Sequence, residues 1–358
     1  MNGVVIGALM ALSMAQQTDT VFPAAGVKSL DVEAPGGSIV VTGWDRDEIR
    51  VQAGHSHRTR VDIRRTGDRV SIEAEADRGP AGAVDFTISA PRATSVSLEG
   101  MYTDITVDGL DGDVDAETLQ GDVTVKGGSG SVKASATAGK ILVQGARGTI
   151  DVESTAGGIR LVDVGGTVTG ESVGGSIWFE NAHAKSVDVG TTGGTIRYEG
   201  TLDPNGIYSF GSFGGSVTLV LPEGTPASLS LSSVHGSAMT NLGGEMQRLR
   251  SGGRHQIDVN GGGAVVEVES FGGRVAVLRK GTEDTVPGGD DEVADSDDFT
   301  GIVHTFEPGD FVSPGDLAGL DHLAGLEALT GLGATIQRSV QAALRQSGVD
   351  GWRNVGGR

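Results

Sequence analysis

Through the middle of the chain, apolar and polar residues alternate in short cores that recur at a fixed interval. Ile105-Thr106-Val107, Val123-Thr124-Val125, Ile141-Leu142-Val143, Ile159-Arg160-Leu161 and Ile177-Trp178-Phe179 begin 18 residues apart; Ile196-Arg197-Tyr198 and Val217-Thr218-Leu219 follow after 19 and 21. Between them fall Val114, Val132, Ile150, Val168 and Val187, so the working unit is nine residues. Alternation at period two predicts strands with one buried face. A nine-residue unit supplies one strand of about four or five residues and a sharp reversal. Gly-Gly pairs precede strands at 36–37, 157–158, 174–175, 193–194, 214–215 and 272–273, which predicts reversals that use the positive φ open to glycine. The same glycines and the alternation exclude helix here.

Two units make one coil, so the reading is all-β: a β-solenoid of about 18 residues and two short strands per coil. Stacking at a spacing of ~4.8 Å lines Ile105, Val123, Ile141, Ile159, Ile177, Ile196 and Val217 into one internal column, and Val107, Val125, Val143, Leu161, Phe179, Tyr198 and Leu219 into another. The facing pairs Val114/Ala116, Val132/Ala134, Ile150/Val152 and Val168/Gly170 are smaller and imply a thin core. A meander of hairpins also places a turn every 8–12 residues, but it has no reason to hold an 18-residue register. Before the repeats, segments such as Ser38–Val41, Glu48–Val51, Arg60–Ile63, Arg69–Ile72 and Val84–Ile88 alternate without a period and read as an irregular N-terminal β cap over residues 22–100. The repeats occupy 101–280, with the late strands around Val265–Val268 and Val275–Val277 closing the far end.

The two termini follow other patterns. Gly3 to Ala15 is an apolar run ending in Ser13-Met14-Ala15, which predicts a secretory signal over residues 1–15. No later stretch is long and apolar enough for a transmembrane helix, so the mature chain is read as exported to the periplasm, cell surface or medium without a membrane span. From Gly281 to Gln337 there is no Lys or Arg but there are 13 acids, and residues 281–315 read as an acidic disordered linker. Three cassettes, LAGLDH, LAGLEA and LTGLGA, run from Leu317 to Ala334, and Ile336, Val340, Ala343 and Leu344 follow at helical spacing. Residues 316–347 read as a C-terminal helix. Its leucines recur every third residue and drift around the axis, so it needs a partner surface: the solenoid, an envelope protein or another copy.

Composition narrows the function. Sixty of 358 residues are Gly and aromatics are 4%, which argues against a large aromatic-filled core. The formal charge of −20 repels phosphate backbones, so nucleic acid is not a partner. With no cysteine there is no disulfide, zinc thiolate or cysteine nucleophile. Asp111, Asp113 and Asp115 resemble the start of a calcium loop, but the sixth position is Ala116, the last is Asp122, and Val114 belongs to the core. His55 and His57 share one face of an expected strand without a third ligand. The remaining histidines are scattered, and no catalytic residue, metal site or cofactor is assigned. One outward row stands apart: Thr106, Thr124, Leu142, Arg160, Trp178, Arg197 and Thr218. Trp178 falls between Arg160 and Arg197, a candidate stripe for a sugar or peptide in which guanidinium groups can stack on the indole.

Phe86-Thr87-Ile88-Ser89-Ala90-Pro91, then Val96-Ser97-Leu98, then units such as Gly121-Asp122-Val123-Thr124-Val125 complete a pattern that resembles the bacterial putative-adhesin family of exported β-strand-repeat proteins. The resemblance covers roughly residues 30–280. It implies a right-handed β-helix-like domain at the cell envelope and supplies no catalytic residues. The function expected is a non-catalytic envelope or surface protein presenting a rigid repeat face to a glycan or an envelope protein. Two alternatives stand beside it. One is a carbohydrate-active enzyme on a β-helix, which the short turns disfavour. The other is an envelope structural or signalling component that docks through its C-terminal helix.

Overall fold

The computed structural model describes residues 16–76, 79 and 81–282. The segments read as export signal and C-terminal helix lie outside the described residues, as does the linker beyond Thr282. Among the described residues there are 24 strands and no helix. In chain order they are β1 (Gln16–Pro23), β2 (Ser29–Trp44), β3 (Glu48–His55), β4 (Thr59–Thr66), β5 (Arg69–Ala76), β6 (Val84–Pro91), β7 (Ser95–Asp108) and β8 (Val114–Gln120). Next come β9 (Val123–Lys126), β10 (Val132–Ala136), β11 (Ile141–Gln144), β12 (Thr149–Ser154), β13 (Ile159–Val162), β14 (Gly165–Ser172), β15 (Ile177–Thr191) and β16 (Ile196–Gly200). The last are β17 (Ile207–Ser212), β18 (Val217–Leu221), β19 (Ala227–Ser233), β20 (Ala238–Thr240), β21 (Gln247–Leu249), β22 (Gly253–Val259), β23 (Ala264–Ser270) and β24 (Val275–Arg279).

The strands form two parallel walls. In the first, Ile105, Val123, Ile141, Ile159, Ile177, Ile196 and Val217 are consecutive partners. In the second, Val96, Val114, Val132, Ile150, Val168 and Val187 pair in turn. These side chains are at most 3% exposed, so the columns predicted from the 18-residue register are the core, and the meander is excluded. The long strands β2, β7 and β15 belong to both walls.

The corners explain the glycine. At the corner leading out of the first wall, the chain needs a left-handed residue: Gly109, Gly127 and Gly145 have φ of 69°, 78° and 75°, and Asp163 and Asn181 continue the column at 53° and 51°. At the corner leading back, crowding decides instead. A Cβ on Gly139, Gly157, Gly175, Gly194 or Gly215 would lie 1.6 to 2.1 Å from the carbonyl oxygen of the glycine in the adjacent coil. These glycines have ordinary φ, so most of the Gly-Gly pairs reflect close stacking of coils and not the positive φ expected of them.

The ends depart from simple winding. The expected N-terminal cap contains two more coils: β2 lies between β7 and the β5/β6 coil, with Leu30 paired to both Val70 and Val96 and Ile39 to both Phe86 and Ile105. Antiparallel β4 then closes one wall, and β3 with β1 the other. At the other end the strands expected as caps, β23 and β24, are interior. They sit between β17/β18 and β19/β20, and antiparallel β22 and β21 form the edges. Reversing strand direction at both ends ends the parallel stacking.

Aromatic rings cluster in the core where β15, β16 and β17 meet. Tyr198 packs 5.2 Å from Phe179, 5.4 Å from Phe210 and 6.3 Å from Tyr208, measured between ring centroids. The Tyr208 hydroxyl donates to Ala184 O at 2.7 Å and accepts from Asp203 N at 2.7 Å. The wider ring pair Tyr208/Phe210 thus replaces Val187/Val189 of the preceding coil without an unpaired hydroxyl.

Candidate functional site

The outward row forms because every second residue of the first wall turns away from the core. Ile177 and Phe179 are buried, so Trp178 between them faces out. The parallel register makes Arg160 and Arg197 its two direct neighbours and continues the row through Leu142 and Thr124 on one side and Thr218 and Ala276 on the other. Each arginine also meets a carboxylate two residues along an adjacent or shared strand. Arg160 Nη2 lies 2.7 Å from Glu180 Oε1, and Arg197 Nη2 lies 3.7 Å from Glu199 Oε2. Glu199 is shared with Lys280 Nζ at 2.9 Å. The row is therefore a partly covered strip around one indole in which Arg160, Arg197 and Lys280 face Glu180 and Glu199. Among the described residues the cation–π contact is elsewhere, with Arg46 4.8 Å from the Trp44 ring centroid. Beyond Thr218 the strip turns apolar, where Met239, Ala276 and Leu278 cluster with Met246.

The outer side of the second wall is acidic. Asp151, Glu153, Glu171 and Asp188 occupy neighbouring coils. Loss of hydration raises the Glu171 carboxyl above its usual range, and Glu153, Asp188 and Asp151 raise it further. Desolvation likewise raises Asp188, Glu269 and Asp104. A shallow depression of about 330 Å³ on this side is lined by Asp31, Arg69, Ser97, Asp115 and Lys133, with Arg69 and Asp31 already paired at 3.0 Å. Asp113 serves the fold: its Oδ1 accepts from Ser131 N at 2.9 Å. The two histidines do not share a strand face. β3 ends at His55, which is buried with Nε2 2.9 Å from Thr18 Oγ1, while His57 lies in the following turn and is exposed. Among the described residues no group of three or more His, Asp or Glu is arranged to hold a metal ion.

One repeated feature escaped the sequence reading. Ser154, Ser172, Thr191, Ser212, Ser233 and Ser270 each stand three residues before a glycine. In all but the first the hydroxyl accepts that glycine's N–H, at 2.8 to 3.2 Å. Thr191, Ser212, Ser270 and Ser233 also donate to a glycine carbonyl of the next coil, at 2.9 to 3.1 Å. The signal was legible as [Ser/Thr]-x-x-Gly at the coil period, and it leaves the two intervening residues pointing to solvent.

The family model described as Toastrack DUF4097 matches residues 27–273, from just before β2 to just past β23. The chain belongs to the Toastrack DUF4097 family. The Toastrack span nearly coincides with the stretch, roughly 30–280, over which the strand motifs resembled an exported β-repeat family, and its description assigns no activity. Two solved structures are similar over most of the chain. A putative cell adhesion protein from Clostridium sporogenes is 10% identical with a TM-score of 0.22, covering 74% of this chain and 100% of that one. A putative adhesin from Bacteroides fragilis is 12% identical with a TM-score of 0.37, covering 75% of this chain and 98% of that one. No curated protein matches the chain.

Proposed function

We propose that this Toastrack protein is a non-catalytic cell-envelope or surface protein, adhesin-like, that holds a rigid β-repeat wall toward a glycan or an envelope protein. The observation that carries the reading is the outward row Arg160–Trp178–Arg197, kept in register by consecutive parallel strands. A rigid array loses little conformational entropy on binding, and weak contacts repeated along it add up by avidity. In this reading residues 1–15 direct export, and the Leu/Gly-rich segment 316–347 supplies a second attachment, to an envelope component or another copy.

The test is binding of the intact chain to panels of envelope glycans and envelope proteins, with Trp178→Ala alongside. Binding weakened about tenfold by Trp178→Ala, a loss of about 1.4 kcal/mol, is expected. Binding that ignores the substitution removes the row from the site. Sustained turnover of a polysaccharide overturns the non-catalytic reading.

A further inference from the structure

A second surface runs along the corner where the chain passes from the second wall back to the first. One solvent-facing pair per coil lines it, from Met101/Tyr102 through Phe213/Gly214 to Val234/His235. None is Asp, Glu, Lys or Arg, although the wall on one side is acidic and the row on the other is charged. The stacking order is fixed by backbone hydrogen bonds from Phe213 N to Thr191 O, Phe271 N to Ser212 O and Val234 N to Ser270 O. Phe213, Phe271 and Val234 are 51%, 43% and 45% exposed. The two phenyl rings stack with centroids 4.8 Å apart and planes 2° from parallel, and His235 packs edge-on to Phe271 at 4.7 Å.

This arrangement makes a ledge. One face of Phe213 is covered by Phe271. On its other side the next coil carries only Thr192 and Gly193, and the coil beyond carries Val173 and Gly174, so among the described residues no ring covers that face. We propose that the free face of Phe213 above Thr192–Gly193 is a binding site for an uncharged sugar residue of a neutral glycan, whose chain follows the corner toward Thr155 and Thr137. This deepens the surface-binding reading above and rests on it.

Charge and area select this occupant. An ionic partner finds no counter-charge along the edge, and a second copy, also at −20, is repelled at long range. The exposed halves of two phenyl rings and a valine offer about 250 Å², against the roughly 800 Å² per partner of a stable protein interface. A sugar needs no more than such a platform: its C–H face packs on the ring, and its hydroxyls reach Thr192 and the threonines beyond.

The test is titration of the intact chain with neutral hexasaccharides (cellohexaose, maltohexaose, xylohexaose and mannohexaose) followed by NMR or calorimetry. At least one is expected to bind, with affinity falling about tenfold in Phe213→Ala. Thr192→Phe, which adds a ring over the free face, is expected to block binding to a similar degree. Asp151→Asn, on the outer side of the second wall, should leave this binding unchanged. No hexasaccharide bound at millimolar concentration, or binding indifferent to both edge variants, overturns the proposal. Hexasaccharide binding lost in Trp178→Ala but kept in Phe213→Ala and Thr192→Phe overturns it while preserving the surface-binding reading. Binding to phosphatidylcholine vesicles lost in the same variants, without binding to any hexasaccharide, assigns the edge to a membrane and overturns the glycan.

Discussion

Replacing Gly157 by alanine should force two coils apart. The added Cβ would lie 1.8 Å from Gly139 O, whereas ordinary contact begins near 3.4 Å, so about 1.6 Å of separation must be found within a coil spacing of about 4.8 Å. The hydrogen bonds that join these coils at the corner, Ala156 N to Thr137 O and Ile141 N to Gly158 O, are both 3.0 Å long. Stretched by that amount they are lost, at about 1 kcal/mol each. The buried contact between Ile141 and Ile159 opens with them. The expected cost is about 2–4 kcal/mol, or a fall in thermal midpoint of about 5–15 °C for a unit of this size. Gly54→Ala is the control. It lies within β3, likewise without positive φ, but its Cβ would meet nothing within 4 Å, so it should be neutral or stabilising by up to about 1 kcal/mol. Thermal and urea unfolding followed by circular dichroism compare the two. Equal stability of Gly157→Ala and the parent, or equal damage from both substitutions, would refute the claim that inter-coil crowding dictates glycine at this corner.

The hydroxyl column gives a paired prediction. Ser212→Ala strips Gly215 N of its acceptor and Gly194 O of its donor, and should cost about 1–3 kcal/mol in urea unfolding. Ala136 is a gap in the same column, between Thr118 and Ser154, so Ala136→Ser should gain about 0.5–1.5 kcal/mol if the hydroxyl finds the equivalent partners. The acidic wall predicts a pH response. Glu171, Asp188, Glu269 and Asp104 have carboxyls raised in the folded state, so the native chain holds protons that the unfolded chain releases. Urea stability should therefore rise as pH falls from neutrality through the raised values, and Glu171→Gln should lift stability at pH 7 and flatten that rise. At lower pH the trend reverses, because Arg50 holds Asp19, and Arg60 and Arg64 hold Glu75, below the usual range, and their contribution is lost as pH drops through those lowered values. A stability profile that climbs steadily from pH 5 to 8 contradicts the assignment.

The repeat itself was written in the chain. Isoleucine and valine at an 18-residue interval leave few ways to bury every column except stacked coils, because each strand is too short to close a core alone. That register by itself places Trp178 between Arg160 and Arg197, as the strands pair them. Alternation says only which side of a wall a residue takes, so the partners of the arginines, Glu180 and Glu199, emerged from the folded strands.

Tertiary structure alone decided the ends and the corner surface. β23 and β24 slot between coils that precede them in sequence, and at the other end β2 lies between coils that follow it, because a free parallel edge accepts any strand of matching pattern and nothing local in Val265–Val268 says which edge it will meet. Phe213 and Phe271 are 58 residues apart, a separation outside every repeat interval, and become stacked neighbours only through that insertion. Local periodicity thus fixes what each coil is, while the order in which coils stack is a long-range choice made by which edges remain to be paired.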